Sequence, residues 1–402
     1  MKTERITENI KQAAAFIRNG ALVAVPTETV YGLAGNGLDA SAVSRIYEVK
    51  GRPAVKPLSL MVPGEEAMDL YCRDVPKQAR ALAAKFWPGP LTIVLPACEE
   101  IPEIVLAGGK TVGLRCPDHP LTLALLRECG LPLAAPSANP SGEPSPKTAE
   151  QVLGYFDGKI EAVIDGGPCG IGTESTLIDM SGKPYRILRQ GALDRKAIAE
   201  ALASRMQVIG ITGGSGTGKT TALMELEKMG ALVIDCDAVY HRLLQSSLEM
   251  LTELSEAFPG TVREGVLDRP MLAARVFSDA EALQKLNAIT HRHVCRAVEA
   301  MLLEHAMNGG ELAAIDAVEL FSSGLNERCT QTLAVLAAEE KRAERIMARD
   351  GIDRDAAMKR IRAQRPDDYF ERHCDYCLWN NADPEQFKLD CRQLFKEIQK
   401  HG

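Results

Sequence analysis

The sequence has no long apolar run. No stretch reaches the roughly 18 residues that a membrane-spanning helix needs, which argues against membrane insertion. The opening, MKTERITENIKQAAAF, is too polar for a secretory signal, so a cytoplasmic location is expected. There is no internal repeat and no low-complexity tract. Basic excess is missing too. Residues 1–205 carry 23 basic and 23 acidic side chains, and residues 206–402 carry 24 and 31. Neither half has the positive balance of a dedicated nucleic-acid binder. Eleven cysteines are scattered without an export signal, which reads as reduced thiols. The lone CxxC, Cys374 with Cys377, has no second pair at zinc-ribbon spacing, and no structural metal is expected. The expectation there is two thiols on or near a short buried strand.

At 402 residues, 46% hydrophobic and 25% charged, the chain suits two to three globular domains. Strand-like runs at 21–26, 91–96, 131–136 and 161–165 alternate with helical patterns, which signals an α/β domain. Gly20 and Gly130 stand where helices should stop. The segment 193–205 reads as a closing helix and short linker. A second α/β pattern begins at Met206, where the charge balance also changes. The expected domains are therefore 1–205 and 206–402.

The second half opens with a strand, then Gly213-Gly214-Ser215-Gly216-Thr217-Gly218-Lys219-Thr220, then a helix. This is G-x-x-x-x-G-K-[ST] in its required context. Glycines let backbone N–H groups wrap the phosphates of ATP, and the helix N-terminus adds positive charge. Lys219 reaches the β- and γ-phosphates, the Thr220 hydroxyl can ligate Mg²⁺, and Thr221 follows in the helix. No guanine-reading N-K-x-D signature occurs. The next strand is expected to end in Asp235-Cys236-Asp237, where a carboxylate can take a proton from an attacking hydroxyl; an N-cap pair is the plainer reading. A third strand ends in Asp316, which can hold Mg²⁺ through water. Residues 339–365 read as a helix pair carrying Arg345, Arg349, Arg360 and Gln364. These are either a solvated face or a lid over the phosphates.

These residues resemble dephospho-CoA kinase. The stretches GITGGSGTGKTT, VIDCDAVYHRLL, GVLDRPMLAARVFSD, LNAITH, SSGLNERC and RDGIDRDAAMKRIRAQ run in family order. The resemblance implies ATP-dependent phosphorylation of the ribose 3′-hydroxyl of dephospho-CoA. It puts Asp237 at the catalytic-base position, Arg345, Arg349 and Gln364 in the lid, and 240–310 in a helical CoA-binding subdomain. His291-Arg292 replaces the family's His-Pro, and DAVELFS puts Ser322 at an acidic position.

The first half has no phosphate-binding loop, no Ser-His-Asp arrangement and no metal motif. It has PTETVYGL (26–33), a KGRPAVK loop with Lys50, Arg52 and Lys56, and APSANPSG with Ser137 and Asn139. Arg115, Glu174-Ser175-Thr176 and Arg189 adjoin further strands. Basic and hydroxyl-rich loops at strand ends can bind an anionic nucleotide, though each alone is ordinary turn chemistry. Together with WPGPLT, VGLRCPDHP, ESTLID and ILRQGA they resemble the YrdC/Sua5 family of threonylcarbamoyl-AMP synthases. The resemblance implies that L-threonine takes up bicarbonate or CO₂ as a carbamate. The carbamate attacks the α-phosphorus of ATP and expels pyrophosphate, and the product serves tRNA threonylcarbamoylation. Thr27 would contact threonine; Lys50, Arg52, Lys56, Arg115, Ser137, Asn139, Ser175 and Arg189 would serve ATP and the closed pocket. Met61 stands where many members have His.

The expected fold class is thus α/β: a YrdC-like twisted α/β domain, then a P-loop kinase domain with a parallel sheet, helical substrate subdomain and lid. A bifunctional enzyme using ATP and Mg²⁺ leads, with proteins of the tRNA-modification pathway as partners. The alternative is a working kinase fused to a silent nucleotide- or RNA-binding module.

Overall fold

The structure is a computed structural model that describes residues 2–277 and 279–401. Ser278, inside the GVLDRPMLAARVFSD stretch, lies outside the described residues. The chain divides into two compact units, with the main break between Arg205 and Met206.

The first unit is built on a ten-stranded mixed sheet. Across it the strands run Glu4–Ile6, Ala162–Ile164, Val23–Val25, Gly32–Asn36, Leu133–Ala134, Ser59–Met61, Thr111–Arg115, Leu91–Pro96, Thr176–Asp179 and Arg186–Arg189. Sequence neighbours are often not sheet neighbours, so residues far apart in the chain meet at adjacent strand ends. Helices Ile10–Arg18 and Pro120–Cys129 cover one face, with Ala13, Ile17, Leu125 and Leu126 packed on Val23, Val25 and Ile164. Gly130 ends its helix in the left-handed conformation that a side chain would strain. The LPLAAP run pairs only at Leu133–Ala134, because the chain then turns out into the 135–142 loop. Helix Arg195–Ala203 closes the unit.

The second unit has a five-stranded parallel sheet in the order Leu232–Asp235, Leu312–Asp316, Gln207–Thr212, Gln331–Leu336, Tyr376–Trp379. Parallel strands are covered on both faces, so they are continuously apolar rather than alternating. Ile209, Ile211, Leu333 and Val335 face Leu226, Phe387 and Phe395 on one side. Val208, Ile234 and Ile315 face Val298 and Leu320 on the other. Register sets Asp316 beside both Asp235 and Ile211, so two acidic strand ends stand level with the start of the glycine loop. Leu244, Met250, Leu254, Phe258, Leu272 and Ile289 form a separate core for the helical segment. Ala343, Ile346, Ala357 and Ile361 hold the hairpin of Glu339–Asp350 and Arg354–Arg362 together around Gly351.

Two local expectations need correction. The strand expected to run to Asp237 stops at Asp235, whose side chain caps the next helix by accepting from Ala238 N at 3.0 Å. The Cys374–Cys377 region forms a half-buried strand rather than a buried one, because it is the sheet's outermost member.

Candidate functional site

In the first unit, a pocket of about 190 Å³ opens where several strand ends converge. Its lining includes Tyr31, Arg52, Ser59, Met61, Thr92, Arg115, Ser137, Glu174, Ser175 and Arg189. Three guanidiniums line it against Glu174, with Glu28 bonded to Arg115 from outside the lining, and the balance left over is positive and suited to an anion. Arg115 ends a strand and is buried; it donates to Glu28 at 2.8 Å and to Thr29 Oγ1 at 2.8 Å. Arg189 pairs with Glu174 at 2.9 Å and donates to Ser175 Oγ at 3.1 Å. Ser175 Oγ in turn lies 2.9 Å from Thr92 Oγ1. Arg52 is anchored at the rim on the carbonyls of Lys56 and Pro57.

Not every expected residue lines this pocket. Lys50 is the last residue of helix Ala40–Lys50, not part of the loop, because Gly51 turns left-handed at φ 59° and stops the helix. Its ammonium donates to the carbonyls of Ser137 and Asn139 and so holds the loop behind the pocket. Burial, with Arg52 nearby, brings its pKa down to about 8. Thr27 is buried and sets a turn, with Oγ1 accepting from Thr29 N and Val30 N. Lys56 is exposed. Asn139 donates to Pro140 O and Glu143 O, shaping its own loop. Met61 is buried in the pocket wall, its Cε close against Gly32. Glu174, named from the sequence beside Ser175, lines the pocket; Thr92 and Tyr31 lie in the motifs WPGPLT and PTETVYGL but carry no expectation of their own.

In the second unit, Gly213, Gly216 and Gly218 take φ of 135°, 79° and 103°. A Cβ on Gly213 would stand 2.3 Å from Val335 O, so the loop needs glycine there both for conformation and for room. The loop carbonyls are tied from outside. Arg342 Nε donates to Ser215 O at 3.1 Å, Arg345 to Gly216 O at 3.1 Å, and Asn380 Nδ2 to Thr217 O at 2.8 Å. Gln364 accepts from Ser215 N at 2.9 Å and donates to Ser215 Oγ at 2.8 Å. Thr217 is buried and donates to Gly214 O at 2.9 Å. Holding the carbonyls this way turns the amide side of the loop towards an incoming anion.

Lys219 begins the following helix and donates to Gly213 O at 2.9 Å. Burial lowers its pKa, while Asp316 and Asp237 act in the opposite sense. Burial pushes Asp316 up to about 6, and its Oδ1 has no hydrogen-bond partner. Asp237 is exposed in the first turn of helix Cys236–Ser246. Thr220, exposed, and Thr221 follow Lys219 in the first helical turn. Mg²⁺ fits the orphaned Asp316 oxygen, a hard donor that such an ion accepts.

Of the four expected lid residues, Arg345 and Gln364 touch the loop. Arg349 and Arg360 instead both pair with Asp350, at 2.7 and 2.6 Å. Arg342 and Asn380 were missed. Arg342 sits in the highly charged run EEKRAERIMARD, where nothing in the pattern separates a 3%-exposed arginine from its solvated neighbours. Arg292 lies on helix Ala280–Met307 and pairs with Glu253, while the Ser322 hydroxyl donates to Glu319.

Comparison with known proteins adds to this geometry. A family model for Sua5, YciO and YrdC proteins, described as "Telomere recombination", matches residues 15–191. A model described as "Dephospho-CoA kinase" matches residues 207–386. A threonylcarbamoyl-AMP synthase of Mus musculus is 37% identical over 193 residues, covering 46% of this chain and 68% of that protein. The chain belongs to the Sua5/YciO/YrdC family. Its second half carries a dephospho-CoA kinase domain.

Within the Sua5/YciO/YrdC family, the threonylcarbamoyl-AMP synthases of Pyrococcus abyssi and Bacillus subtilis are 49% and 46% identical over 200 residues. They match 50% and 49% of this chain. The chain spans only 59% and 58% of the length of those two relatives. The arginine-lined pocket lies within the Sua5/YciO/YrdC match, and the glycine loop, Asp237, Asp316 and Gln364 lie within the kinase match.

Proposed function

We propose that the chain is a bifunctional ATP-using enzyme. Its first half forms threonylcarbamoyl-AMP from L-threonine, bicarbonate and ATP. Its second half phosphorylates the ribose 3′-hydroxyl of dephospho-CoA. The observation that carries the first reading is the convergence of Arg52, Arg115 and Arg189 with Ser137 and Ser175 on one pocket, inside the region shared with the synthases. The second rests on the glycine loop and on Lys219, which lies close enough to Asp316 and Asp237 to feel both carboxylates.

In the synthase reaction, the carbamate oxygen forms a bond to the α-phosphorus of ATP and pyrophosphate leaves. Arg52, Arg115 and Arg189 stabilise charge on phosphate and carboxylate groups. Lys50 acts from behind by fixing the Ser137–Asn139 loop. In the kinase reaction, the 3′-hydroxyl attacks the γ-phosphorus and ADP leaves, while Asp237 takes the hydroxyl proton. Lys219 and the loop amides hold the β- and γ-phosphates. Thr220 and Asp316 would hold Mg²⁺, which neutralises phosphate charge when bound. Arg345 and Gln364, already on the loop, keep it in shape and exclude water.

The synthase product serves tRNA threonylcarbamoylation, so proteins of that pathway are the expected partners. A cytoplasmic location fits both substrates; among the described residues no helix is long and apolar enough to cross a membrane. The test is product analysis by mass spectrometry on the full chain. Threonylcarbamoyl-AMP should appear only with threonine and bicarbonate present, and CoA only with dephospho-CoA. Absence of the first product with CoA formed normally would reduce the first half to a silent nucleotide- or RNA-binding module.

A further inference from the structure

Away from both pockets, helix Leu248–Ala257 presents Glu249 and Glu253 one turn apart, and helix Ala280–Met307 presents His293. One ligand atom from each lies within 4.8 Å of the other two. Acidic groups on a surface are common, but the histidine is not a surface group. It is 4% exposed, and its Nε2 is buried with no hydrogen-bond partner. That nitrogen points at the carboxylates, 3.3 Å from Glu253 Oε2. An unpartnered buried polar atom costs about 1–3 kcal/mol, so a site that keeps one calls for an occupant.

Two arginines compete for the carboxylates. Arg292 pairs with Glu253, and Arg296 with Glu249 at 2.9 Å. Both arginine side chains are about half exposed, at 49% and 59%. Ion pairs so open to water contribute about 0–1 kcal/mol, and a guanidinium that lets go returns to solvent at little cost. Both arginines bond the carboxylates, and neither hydrogen-bonds the imidazole nitrogen. A metal ion can satisfy all three groups together.

We propose that Glu249, Glu253 and His293 form a site for a divalent transition-metal ion of the zinc class. One imidazole nitrogen with two carboxylate oxygens is a donor set that Zn²⁺ accepts in tetrahedral geometry, with water in the fourth position. Mg²⁺ and Ca²⁺ prefer all-oxygen surroundings. The ion would cross-link two helices of the helical segment. Its role is to fix their packing, separate from phosphoryl transfer at the glycine loop.

The test is hydrogen exchange on the full chain, stripped with a chelator and then given ZnCl₂. Eleven cysteines offer other places for Zn²⁺, so a location-specific readout is needed. With Zn²⁺ at ten times its dissociation constant, opening of 248–257 and 287–297 should become about tenfold rarer. The Glu249→Gln and His293→Asn variants should lose this slowing. Glu249 is exposed, so its variant keeps the fold even if the buried histidine change does not. Equal slowing in wild type and Glu249→Gln would place the ion on thiols or elsewhere and overturn the assignment. No slowing in the wild type would leave an arginine-capped ion-pair cluster and overturn it as well.

Discussion

Asp316 carries the most informative charge in the kinase half. Its carboxyl is buried, lacks a partner at one oxygen, and has a pKa raised to about 6. A raised carboxyl pKa favours the folded state while the group is protonated. That contribution is complete below the ordinary aspartate value and is lost as pH rises through about 6. Without nucleotide and Mg²⁺, denaturant midpoints of the kinase half should therefore fall between about pH 4 and pH 6. The Asp316→Asn chain should lose that slope. An unchanged slope would remove Asp316 as its source. Asp237 gives a different prediction. If it accepts the hydroxyl proton as proposed, change to Asn should lower turnover about 10²–10⁴-fold with ATP binding retained. A normal rate would take Asp237 out of that role. Lys50 bears on the first half. Its pKa near 8 means its charge is lost in mildly alkaline solution. Pyrophosphate release should fall as pH rises through about 8, as the Ser137–Asn139 loop loses its tether; a flat profile would show that the tether does not limit the reaction.

Among elements, the glycine loop and the helix hairpin over it act as one unit, because Arg342, Arg345, Gln364 and Asn380 all bond the loop. Arg342→Ala should cost about 1–3 kcal/mol by leaving Ser215 O and Gln364 Oε1 short of donors, and should raise the KM for ATP. Stability and KM both unchanged would mean the loop holds its shape unaided. This unit also shows what sequence does and does not reveal. The glycine loop was readable because its spacing and its strand–loop–helix setting are set by phosphate geometry. Arg345 and Gln364 were legible as lid candidates on the charged helix pair, but only the resemblance favoured a lid over a solvated face. Arg342 and Asn380 were unreadable, since their role comes from a fold that brings residues 215, 342, 364 and 380 together. In the first unit Lys50 was read as a loop charge because the motif hides the helix end at Gly51. The turn that Thr27 sets was not legible, because a turn-setting hydroxyl and a substrate-binding one look alike in sequence. Glu174 was legible as a candidate but not its role, since its pairing with Arg189 depends on the fold.

Across the whole molecule, the change in charge balance near Met206 and the break between the two compact units fall at the same point of the chain. The two proposed reactions cut ATP at different bonds and share no intermediate, so each half should work without the other's chemistry. Lys219→Ala should abolish CoA formation and spare the synthase, and Arg52→Ala should do the reverse. Loss of both activities from either change would refute independent sites. The most direct measurement uses the full-length Lys219→Ala chain, in which the kinase cannot consume ATP. Pyrophosphate is followed with ATP, Mg²⁺ and bicarbonate, with and without L-threonine. Release that requires threonine is the predicted result. No threonine-dependent release, with the unmodified chain still phosphorylating dephospho-CoA, would contradict the bifunctional account.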